Sequence, residues 1–152
     1  MVKMVVSSGE QRLDSSGLPV DPVSYQFVNS RPPAHLVYPH AQTLRVIGHG
    51  EQHYPAEGVT NSAFAGAVLV TQDSQTQVYA WYQQQLLAEH WKSYQLAALL
   101  STQLSAQGYQ RGTREVFVVA IDDPHQLSSV IGTQVPAGGT VFEYTYSIST
   151  HQ

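Results

Sequence analysis

Apolar and polar residues are ordered only from the middle of the chain onward. Up to about residue 35 no apolar period survives for more than a few positions. Ser7-Ser8-Gly9, Asp14-Ser15-Ser16-Gly17, Pro19, Pro22 and Pro32-Pro33 interrupt it closely. This predicts a flexible N-terminal arm over 1–35, most simply used as a tether. Within it, Val23 to Val28 (VSYQFV) reads as a short strand or an extended segment lying against the domain.

From Leu36 the pattern tightens into a single domain spanning 36–152. Thr43 to Gly48 alternates as a strand does, and Ala63 to Thr71 (AFAGAVLVT) is a second strand whose continuous apolar run suits the middle of a sheet. Asp73-Ser74 supplies an N-cap for a helix over about 75–89, in which Val78, Trp81, Tyr82 and Leu86 form one apolar stripe. Lys92 to Ala106 fits a helix by its Leu and Ala content or a hairpin by the alternation of Tyr94, Leu96 and Ala98. The hairpin is preferred, because a fresh helix right after Trp91 would lack a stop signal. Gly108 to Gly112 reads as a strand end and turn, Glu115 to Asp122 (EVFVVAID) as a strand, and His125 to Ile131 as a helical turn or two. Pro136 to Gly139 is a turn, and Thr140 to Ser149 is a last strand with an aromatic face. Together these predict an α+β domain: an antiparallel sheet of about five strands with the 75–89 helix packed on one face.

Composition narrows the function classes. Only 12% of the 152 residues are charged, roughly half the usual share. Polarity therefore comes from Gln, Ser, Thr and His, a surface less unusual for an exported protein than for a cytosolic one. The net charge is −4, with two Lys and five scattered Arg. That argues against nucleic-acid binding, which needs clustered cations. With no cysteine, disulfides, thiolate metal sites and a Cys nucleophile are excluded. No apolar run is long enough to span a membrane. An exported form would carry its signal or lipid anchor outside this chain.

Some of these residues fall into an ordered pattern. Tyr38-Pro39-His40-Ala41 precedes a strand, an apolar strand runs into Thr71-Gln72-Asp73-Ser74, and Val78, Trp81-Tyr82, Leu86-Leu87 and Trp91 follow. The chain resembles an uncharacterised bacterial domain of envelope-associated and lipoprotein-like proteins. Its pattern is roughly Tyr-Pro-Gly-Ala, strand, Thr-x-Asp-Ser-Pro, helix with Val and an aromatic beside Tyr, and a closing Gly-Trp. The likeness spans about 36–148, with its specific part over 38–91. Two positions depart from it: His40 and His90 stand where the pattern has Gly, which would suit a turn and a helix C-cap. The resemblance implies an α+β fold and an extracytoplasmic setting, and brings no activity or catalytic residues with it.

The candidate chemistry is sparse. His49, Glu51 and His53, with His35 and His40 nearby in sequence, are all legitimate zinc-type ligands. Gly48 and Pro55 argue against a helix there, and a polar hairpin loop with solvated His is the plainer reading. Asp122-Asp123 at a strand end offers a cation-ligand pair or a general base, but Asp before Pro124 ordinarily caps a turn. Glu143 reads as a solvated residue on the polar side of the last strand. Neither a nucleophile elbow nor a phosphate loop is present. Trp81, Tyr82, Trp91, Tyr144 and Tyr146 read as core aromatics or as a binding surface. The expectation is a non-enzymatic extracytoplasmic domain that needs no cofactor and binds a protein partner or copies of itself. The competing expectation is a small-ligand or zinc-binding domain, possible enzyme included, centred on His49 to His53.

Overall fold

A computed structural model describes residues 12–20, 22–126 and 139–149. The architecture is α+β: one antiparallel six-stranded sheet, a small two-stranded sheet, one main helix and short helices. The strands are β1 (Ala41–His49), β2 (Gln52–Tyr54), β3 (Val59–Asn61), β4 (Ala63–Thr71), β5 (Lys92–Tyr94), β6 (Gln103–Arg111), β7 (Glu115–Asp122) and β8 (Thr140–Ile148). The large sheet runs β1-β4-β8-β7-β6-β5, and β2 pairs with β3 as a separate ribbon. The continuous apolar run of β4 is internal to the sheet, as its pattern predicts. After Trp91 the chain forms strand and not helix, but the expected hairpin within 92–106 is not what forms: β5 ends at Tyr94, residues 95–102 make no strand, and β5 pairs with Gly108 to Gln110 of β6. The turn expected at Gly108 comes later, because β6 continues to Arg111 and Gly112 turns with φ 64°.

Two helices cover one face of the sheet. The main helix, α2 (Gln75–Ala88), begins with a capping box: Ser74 Oγ accepts the Gln77 N–H, and the Gln77 side chain accepts the Ser74 N–H. Val78, Tyr82 and Leu86 are buried, with Trp81 half-buried beside them. The C-terminus closes as a Schellman motif. The N–H of His90 donates to Leu87 O and that of Trp91 to Leu86 O, while His90 takes a left-handed φ of 71°. His90 thus adopts the left-handed C-cap conformation that glycine takes most readily.

The other helix corrects the reading of the described part of the expected arm, of which residues 1–11 and 21 lie outside the described residues. Val23 to Val28 does not form a strand. Residues Tyr25–Ser30 make a short helix, α1, capped by Ser24 Oγ on the Phe27 N–H and ended at Arg31 before Pro32. Residues 12–35 are no loose arm either, since Leu18, Val23, Val28 and Ala34 belong to the core. α1 lies against β4, whose inward residues over that stretch are Ala63, Ala65 and Ala67. Small side chains in the strand leave room for the helix. Gly48 of β1 lies under the Tyr25 ring, and Gly66 of β4 faces the Tyr144 backbone, with no room for a Cβ at either position.

The core face gathers Leu69, Val78, Tyr82, Trp91, Phe117, Val119, Phe142, Tyr144 and Tyr146 with the α1 residues. Phe117 and Tyr144 stack across the β7–β8 pair with centroids 5.6 Å apart. The opposite face has its own small cluster, in which Val68, Val70 and Val141 are buried and Leu44 and Ile47 flank them. The expected turn at 136–139 and most of the expected helix at 125–131 lie outside the described residues.

Candidate functional site

Of the two readings of Trp81, Tyr82, Trp91, Tyr144 and Tyr146, core aromatics or a binding surface, the core one holds. Tyr82, Trp91, Tyr144 and Tyr146 are buried, and Trp81 packs edge-on to Tyr38 and Tyr82. Alternation and helical spacing could not say which side of the sheet faces water. The two helices make it the other side.

The histidine segment is divided between structural tasks. His49 lies edge-on to Phe64 and its Nδ1 meets Gly50 O at 2.7 Å. His53 Nε2 pairs with Glu51 Oε2 at 2.5 Å, and its Nδ1 meets Thr60 Oγ1 at 3.1 Å across the β2–β3 ribbon. Glu51 Oε1 accepts the Val23 N–H. Among the described residues no three His, Asp or Glu side chains are grouped to hold a metal ion. His49, Glu51 and His53 therefore do not come together as a ligand set.

The residues that carry the resemblance do converge. Asp73 Oδ2 accepts the Tyr38 hydroxyl and lies 3.1 Å from His40 Nδ1. The Asp73 N–H donates to Thr71 Oγ1, Thr71 Oγ1 donates to His40 O, and Thr140 Oγ1 donates to Asp73 O. Hydrogen bonding to the carboxylate, with burial second, pushes the Tyr38 hydroxyl up to about 12. The same bond, then the one to His40, holds Asp73 below the usual carboxylate range. The cluster fastens β1, β4, β8 and the start of α2 to one another, a structural knot.

Two further acids depart from their expected roles. Asp123 caps as predicted, its Oδ1 accepting the His125 N–H. Asp122 is 1% exposed, and neither carboxylate oxygen has a hydrogen-bond partner. Burial, and after it the neighbouring Glu143 carboxylate, push its pKa up to about 8. So deeply sealed, Asp122 offers no open position to a metal or a substrate. Glu143 is not the solvated residue that strand alternation suggests. It is half-buried on the face with Val68 and Val141, accepts from Gln103 Nε2 at 2.9 Å, and is raised by desolvation.

Sequence reasoning did not find the group around Glu115. Arg111 donates to both its carboxylate oxygens, at 3.0 and 3.1 Å, and Arg31 Nη2 donates to Oε2 at 3.2 Å. The Tyr146 hydroxyl donates to Oε2 as well. Burial raises the carboxyl, and the bonds from Arg111, Tyr146 and Arg31 more than reverse it, leaving the group lowered overall. The i to i+4 spacing of Arg111 and Glu115 was the only local signal, because Arg31 arrives from far along the chain.

The surface that stands out is at the β5–β6 end of the sheet. Tyr94, Leu99, Leu100 and Leu104 are 42%, 48%, 65% and 61% exposed. The chain between Lys92 and Arg111 holds no charged residue. The register of β6 on β7 shifts between Gln103 and Ser105, a bulge that sets Leu104 outside the regular alternation. β5 pairs only with Gly108 to Gln110, so among the described strands none covers the outer side of Gln103 to Gln107. A recess of about 550 Å³ opens here, lined in part by Tyr94, Leu96, Leu99, Ala106 and Tyr109. Compared with protein-family models, with curated proteins and with solved structures, the chain finds no match.

Proposed function

We propose that this chain is a non-enzymatic, self-associating domain of a bacterial envelope protein, and that residues 94–104 are the surface on which it meets a second copy. The observation that carries the reading is the set of exposed leucines in a stretch without charge. Apolar side chains grouped this way mark interaction surfaces. A like copy matches such a surface about a two-fold axis, where the same patch serves both partners. A charged partner would find nothing there to pair with. The adjoining recess is of a size to receive a leucine side chain from the other copy.

The non-enzymatic part rests on the roles that the polar side chains already hold: Glu51, Asp73 and Glu115 are each tied into contacts that join separate elements. The extracytoplasmic part rests on the low charged fraction and on the resemblance carried by Tyr38, Asp73 and Trp91. The test is a Leu100→Lys/Leu104→Lys variant, compared with the parent by light scattering. The variant should keep the parent's circular dichroism while its mass falls to that of one chain. An unchanged oligomer would remove the surface from the account.

A further inference from the structure

Gln103 closes the turn that carries Leu100 twice over. Its backbone N–H donates to Leu100 O at 3.0 Å, and its side-chain Oε1 accepts the Leu100 N–H at 2.9 Å. The nitrogen of the same amide is held elsewhere, with Nε2 donating to Glu143 Oε1 at 2.9 Å. Gln103 stands on β6 and Glu143 on β8, so the side chain reaches across β7, the strand between them. Ala120 is the β7 residue opposite Glu143, and its small side chain leaves that crossing open. Asp122 is the β7 residue opposite Gln103, two positions on from Ala120 and so on the same face. The Asp123 N–H donates to Thr102 O at 2.7 Å, which ties the end of β7 to the turn itself.

Asp122 enters this patch with both carboxylate oxygens buried and unpartnered. A neutral carboxyl bears such burial far more cheaply than a charged one, which demands a donor. Among the described residues, Glu143 from β8 and the Tyr79 hydroxyl from α2 are the titratable groups whose fields couple to it. Asp123, next along the chain, is occupied with the His125 N–H, and β6 brings no charged residue before Arg111. The amide that crosses β7 is the donor at hand.

We infer that Asp122 and Glu143 govern the leucine turn through Gln103: when Asp122 gives its proton to solvent, it draws the Gln103 amide N–H to itself, Oε1 leaves the Leu100 N–H, and residues 100–103 are released. Burial and the Glu143 carboxylate push Asp122 up to about 8, so the change falls between neutral and mildly alkaline pH. The turn is held below that range and loosened above it. Leu100 belongs to the surface proposed for self-association, so the consequence for association rests on that reading. The release of the turn does not.

Thermolysin, which cuts before leucine, reads the turn, and sedimentation equilibrium reads association, each at pH 7 and pH 9. Comparing the parent with Asp122→Asn at the same pH cancels the protease's own pH dependence and the titration of histidines elsewhere. Cutting within residues 96–104 should be nearly equal at pH 7 and about fivefold faster in the parent at pH 9, where most of Asp122 is ionised. The parent's dissociation constant should rise by a similar factor while the variant's stays level. Gln103→Met, of like length but without an amide, should be cut fast at both pH values, and it carries the test if Asp122→Asn does not fold. A parent cut no faster than Asp122→Asn at pH 9, or a Gln103→Met turn as resistant as the parent's at pH 7, would overturn the inference. A single-chain mass at both pH values, with the pH-dependent cutting intact, would support the coupling and count against self-association.

Discussion

Glu51 holds Val23 from two sides: its backbone N–H donates to Val23 O at 2.8 Å, and its Oε1 accepts the Val23 N–H at 3.2 Å. That clamp joins the segment before α1 to the loop after β1, and Val23 is 1% exposed beneath it. A residue whose type suggested metal chemistry thus secures the start of the fold. Replacing Glu51 with Ala leaves a buried N–H without its acceptor and should cost about 1–3 kcal/mol. Deleting residues 1–35 removes Val23, Val28 and Ala34 from the core, so it should unfold the chain, not trim a tether. Chemical denaturation of the point variant and circular dichroism of the truncated chain read the two effects.

His90 meets the conformational need of a C-cap without being glycine. Its φ of 71° lies in the left-handed region, which costs a residue with a Cβ about 1 kcal/mol. His90→Gly should therefore stabilise the fold by a few tenths of a kcal/mol, the relief less the roughly 0.4–1 kcal/mol of added unfolded-state freedom. A rise in the denaturation midpoint with an unchanged slope checks it, and a fall would mean that the histidine ring has a role of its own.

Asp122 gives the chain an unusual pH dependence. Its folded pKa, pushed to about 8, lies above the unfolded value of 3.8. The folded state therefore keeps a proton that the unfolded state gives up. Stability from this group is fully present below pH 3.8, declines as pH rises, and is gone once pH passes about 8. Asp122→Asn removes the ionisation, so the variant should gain on the parent steadily between pH 4 and pH 8. Thermal unfolding at those two values is the check. An equal difference at both would show that Asp122 is ionised in the fold.

Glu115 runs the other way. Its folded pKa is lowered by Arg111, Tyr146 and Arg31, so its contribution is present above the unfolded value of 4.5 and is lost as pH falls through the folded one. Glu115→Gln leaves Arg31 and Arg111, both partly exposed, without their carboxylate and should cost about 1–3 kcal/mol at neutral pH. Urea unfolding should show that gap narrowing in acid.

The elements most legible in the sequence are those with local causes. The Asp73-Ser74 N-cap and the Val78, Trp81, Tyr82, Leu86 stripe announce α2, and the alternation from Val141 to Ile148 announces β8. α1 had its own local signals in Ser24 and Pro32, but with only six residues it shows no full apolar period. Residues 12–20 are shaped by Asp14, whose Oδ1 accepts the N–H groups of Ser16 and Leu18. No apolar repeat marks a loop built that way. The candidate sites were least legible because each depends on contacts between distant parts of the chain. Arg31 meets Glu115 across 84 positions, and Arg114 meets Asp14 across 100. The outward position of Leu104 goes with the bulge in β6, which composition does not reveal.

The central claim is self-association through residues 94–104, and sedimentation equilibrium of the unaltered chain over a wide concentration range tests it most directly. The account predicts a mass that rises with concentration from one chain to a defined small oligomer. A mass of one chain, 16.7 kDa, at every concentration would contradict it.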